Sequence, residues 1–498
     1  MRYRNPAFSL GAGMIATFSH GSMPSASSII LVNPISGRGH LDAYARLYSR
    51  AFIELGSNVL LLAEADGDAA DYLARTCPAA ASLFSFISLK AARSFDGSST
   101  PGRTSVFGLA ERAKFIWQTE GAAEVARRGK RLILALSVSF IPAPVRQLSN
   151  RLKHAIARRL SGTRLERVLN LSSYAELDRI PFQDFVDRIR MTTTVAGRST
   201  PDLILFLYLD LMTERAQNTS CLDQCGAPWI GILFHPRLAR DSKAQIEGYF
   251  SSHQARGGLF LVPAALPLYA KATPHLTFAL APDVADLELP VDTPPIAGEI
   301  RQRAGHRSIV LQIGSIAAHK GISTLLDLIE LADSSQFFFA LIGEVHWHSF
   351  GAHQGRVRTF YAHPPENVFI FEGYVSDERD YNGVIVASDV IYAVYQDFRS
   401  SSNSLTKAAG LGRPILVSER SLMGERVRQF DIGETSPENN PKLILQRLQS
   451  LAARQRGSFG FEAFNQEHSL DALKAQLANA IPAWLRKFDP GTTSTRAG

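Results

Sequence analysis

The chain alternates short, wholly apolar runs with stretches of helical periodicity, and it does so twice. In "ILVNPISGRGH" (Ile30–His40) an apolar strand runs into Asn33-Pro34 and then a Gly-rich turn, Gly37-Arg38-Gly39-His40. Leu41, Ala45, Tyr48, Phe52 and Leu55 follow at helical spacing, Gly56 stops that helix, and "NVLLLAE" (Asn58–Glu64) reads as the next buried strand. Strand, Gly-rich turn, helix and strand make a βαβ unit, which commits the chain to a parallel, doubly wound sheet. "DLILFLYLD" (Asp202–Asp210) and "PWIGILFH" (Pro228–His235) read as two further buried strands, delivering Asp210 and His235 at their carboxyl ends. Ligands of open α/β sheets bind at that edge.

The same grammar restarts at Ser308. "SIVLQIGS" is a strand, "IAAHKG" a turn carrying a cation, and Ile322, Leu325, Leu326 and Ile329 form an amphipathic helix face. "FFFALIGE" (Phe337–Glu344), "VFIFEGYV" (Val368–Val375), "VIYAVY" (Val390–Tyr395) and "PILVS" (Pro414–Ser418) continue it, and helices from Pro441 to Lys487 close it. With 498 residues, two domains are the natural division. The predicted bounds are a flexible leader over 1–26, an N-terminal Rossmann-like domain over 27–280, a C-terminal one over 281–487 and a disordered tail over 488–498. The Pro-rich stretch from Pro282 to Pro295 is the linker, and the segment from about 85 to 200 reads as an insertion.

Charge singles out that insertion. Of a formal +7 for the whole chain, Arg112–Val168 carries thirteen Lys/Arg against three Glu, so the remainder is slightly acidic. Such asymmetry points to an anionic partner for one region. No nucleic-acid-binding signature accompanies the run. In "PVRQLSNRLKHAIARRL" the residues Val145, Leu148, Leu152, Ile156 and Leu160 share one helical face, with Arg146 and Lys153 on one side and Arg151 and Arg158 on the other. An apolar face bordered by cations suits an anionic membrane surface, although a core-facing helix with a solvated basic face has the same pattern. "LILALSVSFI" (Leu132–Ile141) is too short to span a bilayer. Three cysteines, Cys77, Cys221 and Cys225, cannot build a disulfide framework, which suits a reducing, cytoplasmic setting.

The turn at Gly37–His40 could hold a phosphate, since residues without side chains let backbone N–H groups approach an anion. Asn-Pro-x-Ser-Gly also resembles the nucleotide loop of diacylglycerol and sphingosine kinases. Those enzymes require a Gly-Gly-Asp-Gly turn downstream, and the nearest string, "EADGDAAD" (Glu64–Asp71), does not match.

The C-terminal half resembles the family-four glycosyltransferases over about Ile309 to Ser418. The resemblance is carried by "IGSIAAHKGISTLLDLI", "FALIGE", "VFIFEGYVSDERDYNGVIVASDVIYAVY" and "SSNSLTKAAGLGRPILVS" in that order. The N-terminal half matches more loosely, through its Gly-rich first turn and the strands ending at Asp210 and "FHPR". The fold this implies is α/β of the GT-B type: two Rossmann-like domains facing across a cleft, with the basic helical insertion in the first.

The resemblance also implies a site. A nucleotide-sugar diphosphate would lie on the C-terminal domain, with Lys320 stabilising the departing diphosphate without a metal. Gly314, Ser315, Glu344, Tyr374, Val375 and the loop Ser401, Ser402, Asn403 with Leu405 would form the donor pocket. His235 would close it from the other domain, with Asp210 beside it, while Gly37, Gly39 and His40 would form the opposite wall. The family's Glu-x7-Glu falls on Arg399 and Lys407, two cations that can only donate hydrogen bonds. Three readings follow: Asp397 replaces the first carboxylate, the cations hold extra negative charge on donor or acceptor, or the site binds without catalysing.

The expected reaction is transfer of a hexosyl group to an acceptor hydroxyl, with retention of configuration and no metal or other cofactor. A lipid-linked or polysaccharide acceptor at the inner face of the cytoplasmic membrane fits the basic insertion, and polysaccharide synthesis is the expected setting. The alternative is a non-catalytic nucleotide-sugar sensor or scaffold.

Overall fold

A computed structural model describes residues 27–34, 40–63, 68–88, 186–187, 189–190, 200–210, 219–234 and 242–485. The leader, Gly37, Gly39, the basic run 112–168, His235 and the tail 488–498 lie outside them.

The first sheet has seven strands: β1 (Ser28–Asn33), β2 (Asn58–Ala63), β3 (Phe84–Ser88), β4 (Leu203–Phe206), β5 (Trp229–Leu233), β6 (Ala255–Phe260) and β7 (Thr277–Leu280). Their order is β3-β2-β1-β4-β5-β6-β7, and every pairing is parallel. The second sheet has six: β8 (Ser308–Ile313), β9 (Phe337–Gly343), β10 (Val368–Glu372), β11 (Val390–Ala393), β12 (Ile415–Ser418) and β13 (Gly433–Ser436). Its order is β10-β9-β8-β11-β12-β13, again all parallel. Each sheet is buried on both faces, which is why its central strands read as continuous apolar runs rather than alternating ones. Both sheets step outward from a first central strand, and the change of direction opens a crevice at the carboxyl ends of β1/β4 and β8/β11.

Two features differ from the sequence reading. Phe84–Ser88 pairs with β2, so the insertion begins beyond Ser88. The last helix, Leu470–Leu485, returns to the first domain: Leu473, Leu477, Ile481 and Trp484 join the core beneath β1 and β2. Trp484 Nε1 donates to the Thr277 carbonyl at 3.1 Å, and Lys474 pairs with Glu54 at 2.7 Å. The second unit is thereby strapped to the first by more than its linker.

The first half of that linker carries buried charge, at Asp283 and Asp286. Asp283, 2% exposed, accepts from Tyr44 Oη of the first domain at 2.9 Å, and from Arg426 at 2.5 Å and Ser401 Oγ of the second. Arg426 also donates to the Leu261 carbonyl just past β6. Burial alone would push the Asp283 carboxyl up, but the Arg426 charge with Ser401 and Tyr44 overrules it and leaves the pKa below the usual value. Asp283 N–H donates to His468 Nδ1 at 3.1 Å, which requires that nitrogen to be unprotonated. Burial beside Arg426 lowers the His468 pKa to about 4.

Candidate active site

The loops leaving β8, β9, β10 and β11 gather at one edge of the second sheet. Gly314 follows β8 with φ +106°, and Gly343 ends β9 with φ +150°; a Cβ on Gly343 would sit 1.6 Å from the Gly314 carbonyl. No other residue type allows these loops to meet. The two tips are then stitched by backbone bonds from Ile316 N to Glu344 O (2.9 Å) and His346 N to Ile316 O (2.8 Å). Glu344 is exposed there, and Tyr374 stands on the adjacent loop, 52% exposed.

Lys320 is seated by a turn that cannot slide. Gly321 takes φ +71° with its backbone against the Val394 carbonyl, where a Cβ would come within 2.1 Å. Tyr392 Oη donates to the Gly321 carbonyl at 3.3 Å. The half-buried ammonium rests 3.8 Å above the Tyr395 ring and 5.7 Å from Phe398, a cation–π platform. Among the described residues no carboxylate comes within ion-pair distance of it. Tyr395 Oη donates to Ser404 Oγ at 3.1 Å. Burial would raise the Tyr395 pKa, yet the Lys320 charge and hydrogen bonding with Ser404 and Ser402 turn the net shift downward.

Beside this cation starts the helix Asn403–Gly410, N-capped by Ser402, whose Oγ accepts from Ser404 N at 3.3 Å. A half-buried cation, a serine loop and a helix start converge where the sheet opens. Such an arrangement suits a phosphate group. Tyr395, absent from the sequence-derived site, positions the lysine. Its only sequence signal was an aromatic residue closing an apolar run; the strand itself stops at Ala393.

Other predicted residues are placed differently. Lys407 is fully buried: its ammonium donates to the Asp286 carbonyl at 2.7 Å and to Asn382 Oδ1, and it pairs with Glu378 at 2.8 Å. It ties the linker to the helix Glu378–Ala387 rather than lining open surface, because these three oxygens are what make burial of its charge tolerable. Burial nevertheless draws its pKa down, against the pull of Glu378. Leu405 is a core residue. Arg399 and Asp397 stand exposed at 78% and 88% and form a loose pair at 3.6 Å, so neither replaces a buried carboxylate. In the first domain β4 ends at Phe206, and buried Asp210 lies past a turn, where Oδ1 accepts from Phe234 N at 3.3 Å. It thus holds together the chain leaving β4 and β5, over a cluster in which Phe234 stacks on Tyr208 at 4.3 Å and meets Tyr44 edge-on at 4.7 Å. His40 opens the helix His40–Glu54.

The two sheets present these carboxyl edges to one another, joined at the rim by Asp283, Ser401 and Arg426. Sucrose-phosphate synthase from Thermosynechococcus elongatus shares this architecture with a TM-score of 0.53 over 92% of this chain and 98% of that one, at 14% identity. HepE from Anabaena, solved with UDP and glucose, gives 0.52 over 92% and 100% at 12% identity. A glycosyltransferase from Rickettsia africae gives 0.51 over 93% and 100% at 10% identity. The chain has the GT-B fold. No protein-family model matches it, and no curated protein sequence does either. In GT-B terms the Lys320–Tyr395–Ser402 group lies on the second domain's side of the cleft, and the Asp210–Phe234 tie lies on the first domain's side.

Proposed function

We propose that the protein is a glycosyltransferase that moves a sugar from a nucleotide-sugar donor to an acceptor hydroxyl. The observation that carries this is Lys320: a half-buried cation without a carboxylate partner among the described residues, on an aromatic seat beside a serine-capped helix start. A departing nucleoside diphosphate is the anion such a group would stabilise. The reading assigns charge compensation to Lys320 and the Ser400–Asn403 loop instead of a metal, with retention of configuration. UDP-glucose is the first donor to try, because HepE is known in complex with it. His235, Glu344 and Tyr374 are assigned to the donor pocket, and Gly37 and Gly39 to the facing wall.

The acceptor is assigned as a lipid-linked or polysaccharide hydroxyl, presented at an anionic membrane to which residues 112–168 dock. No described helix is long and apolar enough to cross a membrane. Pull-down on liposomes with and without anionic lipid at low salt tests the docking; equal recovery on both removes it. A second reading, a sensor that binds without transfer, is favoured by the exposed Arg399 where the resemblance implies a carboxylate. Incubation with UDP-, GDP-, ADP- and CMP-sugars, with and without membrane extract, separates the two. Release of nucleotide supports transfer, whereas saturable binding with no release in any mixture supports the sensor.

A further inference from the structure

The turn that seats Lys320 also carries a histidine to which the sugar-transfer reading gives no role. Ala318, His319 and Lys320 form one short helical turn between β8 and the helix Ile322–Leu331. Both flanks pin that turn. Ala318 N–H donates to Ser349 Oγ at 3.0 Å, and Ser349 Oγ in turn donates to the His346 carbonyl at 2.7 Å. On the other side Gln396 N–H, past the end of β11, donates to the His319 carbonyl at 2.8 Å. The stitched loops after β8 and β9 thus bring His319 and His346 close enough for their charges to interact at the carboxyl edge of the sheet. His348 follows, its ring 6.1 Å from that of His346.

His319 is exposed and His346 half-buried, and among the described residues neither ring makes a side-chain hydrogen bond or an ion pair. The charges that bear on His319 are Lys320, from its own turn, and His346, from the loop after β9. Exposed Glu344 stands on that same loop. The segment after β11 carries Asp397, whose N–H donates to Glu438 Oε2 at 3.0 Å. Partial loss of water around the ring lowers the His319 pKa below the usual histidine value, and the Lys320 and His346 charges add to this. His319 is therefore mostly neutral at pH 7 in the free protein. No group of three His, Cys, Asp or Glu side chains among the described residues is placed to hold a metal ion.

We propose that binding of the nucleoside diphosphate is coupled to uptake of a proton by His319, so that the leaving group meets a second cation beside Lys320. The inference rests on the sugar-transfer reading, which seats that anion at Lys320. A diphosphate there acts on His319 over much the same distance as Lys320 does, with opposite sign and more than one charge. Attraction replaces the repulsion that keeps the imidazole neutral, and its pKa rises on binding. The proton comes from solvent, rests on the ring and returns to solvent when the nucleotide departs; no covalent bond changes. The empty site is thereby spared two cations side by side.

Calorimetric titration of the full chain with UDP, GDP, ADP and CDP, each in buffers of different ionisation enthalpy, counts the protons taken up. With a nucleotide that binds, the wild type should take up about half a proton or more at pH 7, which tightens binding roughly threefold for each pH unit of acidification. The nucleotide's own terminal phosphate, with a pKa of about 6, contributes a small release of opposite sign, so the wild type is read against His319→Gln. His319→Gln should lose most of the uptake and most of the pH dependence. His319→Lys, charged throughout, should bind at about pH 8 more tightly than the wild type and without that uptake. The position is exposed, so neither substitution threatens the fold. Equal uptake in wild type and His319→Gln overturns the proposal, as does binding to the wild type without uptake. Weaker binding of His319→Lys than of His319→Gln at the higher pH overturns it too. Binding of none of these nucleotides to the wild type overturns the seat at Lys320 itself, and this proposal with it.

Discussion

Replacing Lys320 with Met removes the charge while keeping an unbranched side chain over the Tyr395 ring. The ammonium sits 3.8 Å from that ring's centre, and no described carboxylate competes for it, so its field is available to an incoming anion. A leaving diphosphate gains about one unit of negative charge as the bond to the sugar breaks. One cation about 4 Å away stabilises that charge by roughly 4 kcal/mol at an effective dielectric of 20. Solvent on the open side of a half-buried lysine reduces the figure to about 3 kcal/mol, corresponding to roughly a hundredfold in rate. Lys320→Met should therefore lower kcat by about two orders of magnitude with a much smaller change in KM, since the charge develops in the transition state. The assay is initial-rate nucleotide release across donor concentrations, with near-UV circular dichroism confirming an intact fold. A kcat within about fivefold of wild type would refute the assignment of Lys320 to the leaving group.

Lys407→Met should lower stability by about 3 kcal/mol or more, because Glu378 and the Asp286 carbonyl lose a buried partner; denaturant midpoints check it. Lys407→Glu, which restores the carboxylate of the resemblance, should be worse still, since it faces Glu378 directly. His468 has its pKa lowered from 6.5 to about 4, so the unfolded chain takes up that proton first as pH falls. Its contribution is complete above about pH 6.5 and is lost progressively toward pH 4, by at most about 3 kcal/mol. His468→Asn, which keeps an acceptor for Asp283 N–H without titrating, should flatten that part of the stability profile. Asp283→Asn should destabilise by about 3 kcal/mol through the uncompensated Arg426, and thermal melting reads this directly.

The strands that were legible in the sequence are those buried on both faces, such as β1, β8 and β9, where burial forces unbroken apolar runs. β6 escaped because Arg256, Gly257 and Gly258 interrupt it; Gly257 approaches the Thr277 carbonyl so closely that a Cβ would lie 1.8 Å from it. β7 and β13 are short edge strands with little apolar signal, "TFAL" and "GETS". Lys320 and Ser402 were legible because turn and cap chemistry is local. The burial of Lys407 was not, since its partners are 121, 29 and 25 residues away, and spacing along a helix carries no information about them. The same holds for Asp283, which gathers Tyr44, Ser401 and Arg426 from both domains, and for the last helix, whose apolar face does not reveal which sheet it covers.

The central claim is that a nucleoside diphosphate is held between Lys320 and the start of the Asn403–Gly410 helix. A crystal structure with UDP soaked in, or with whichever nucleoside diphosphate binds, measures this directly. The account predicts a phosphate oxygen within hydrogen-bonding distance of Lys320 Nζ, with main-chain N–H groups of the Ser401–Asn403 turn on the same diphosphate. A diphosphate bound elsewhere in the cleft, with Lys320 still resting on Tyr395 and touching no part of it, would contradict it.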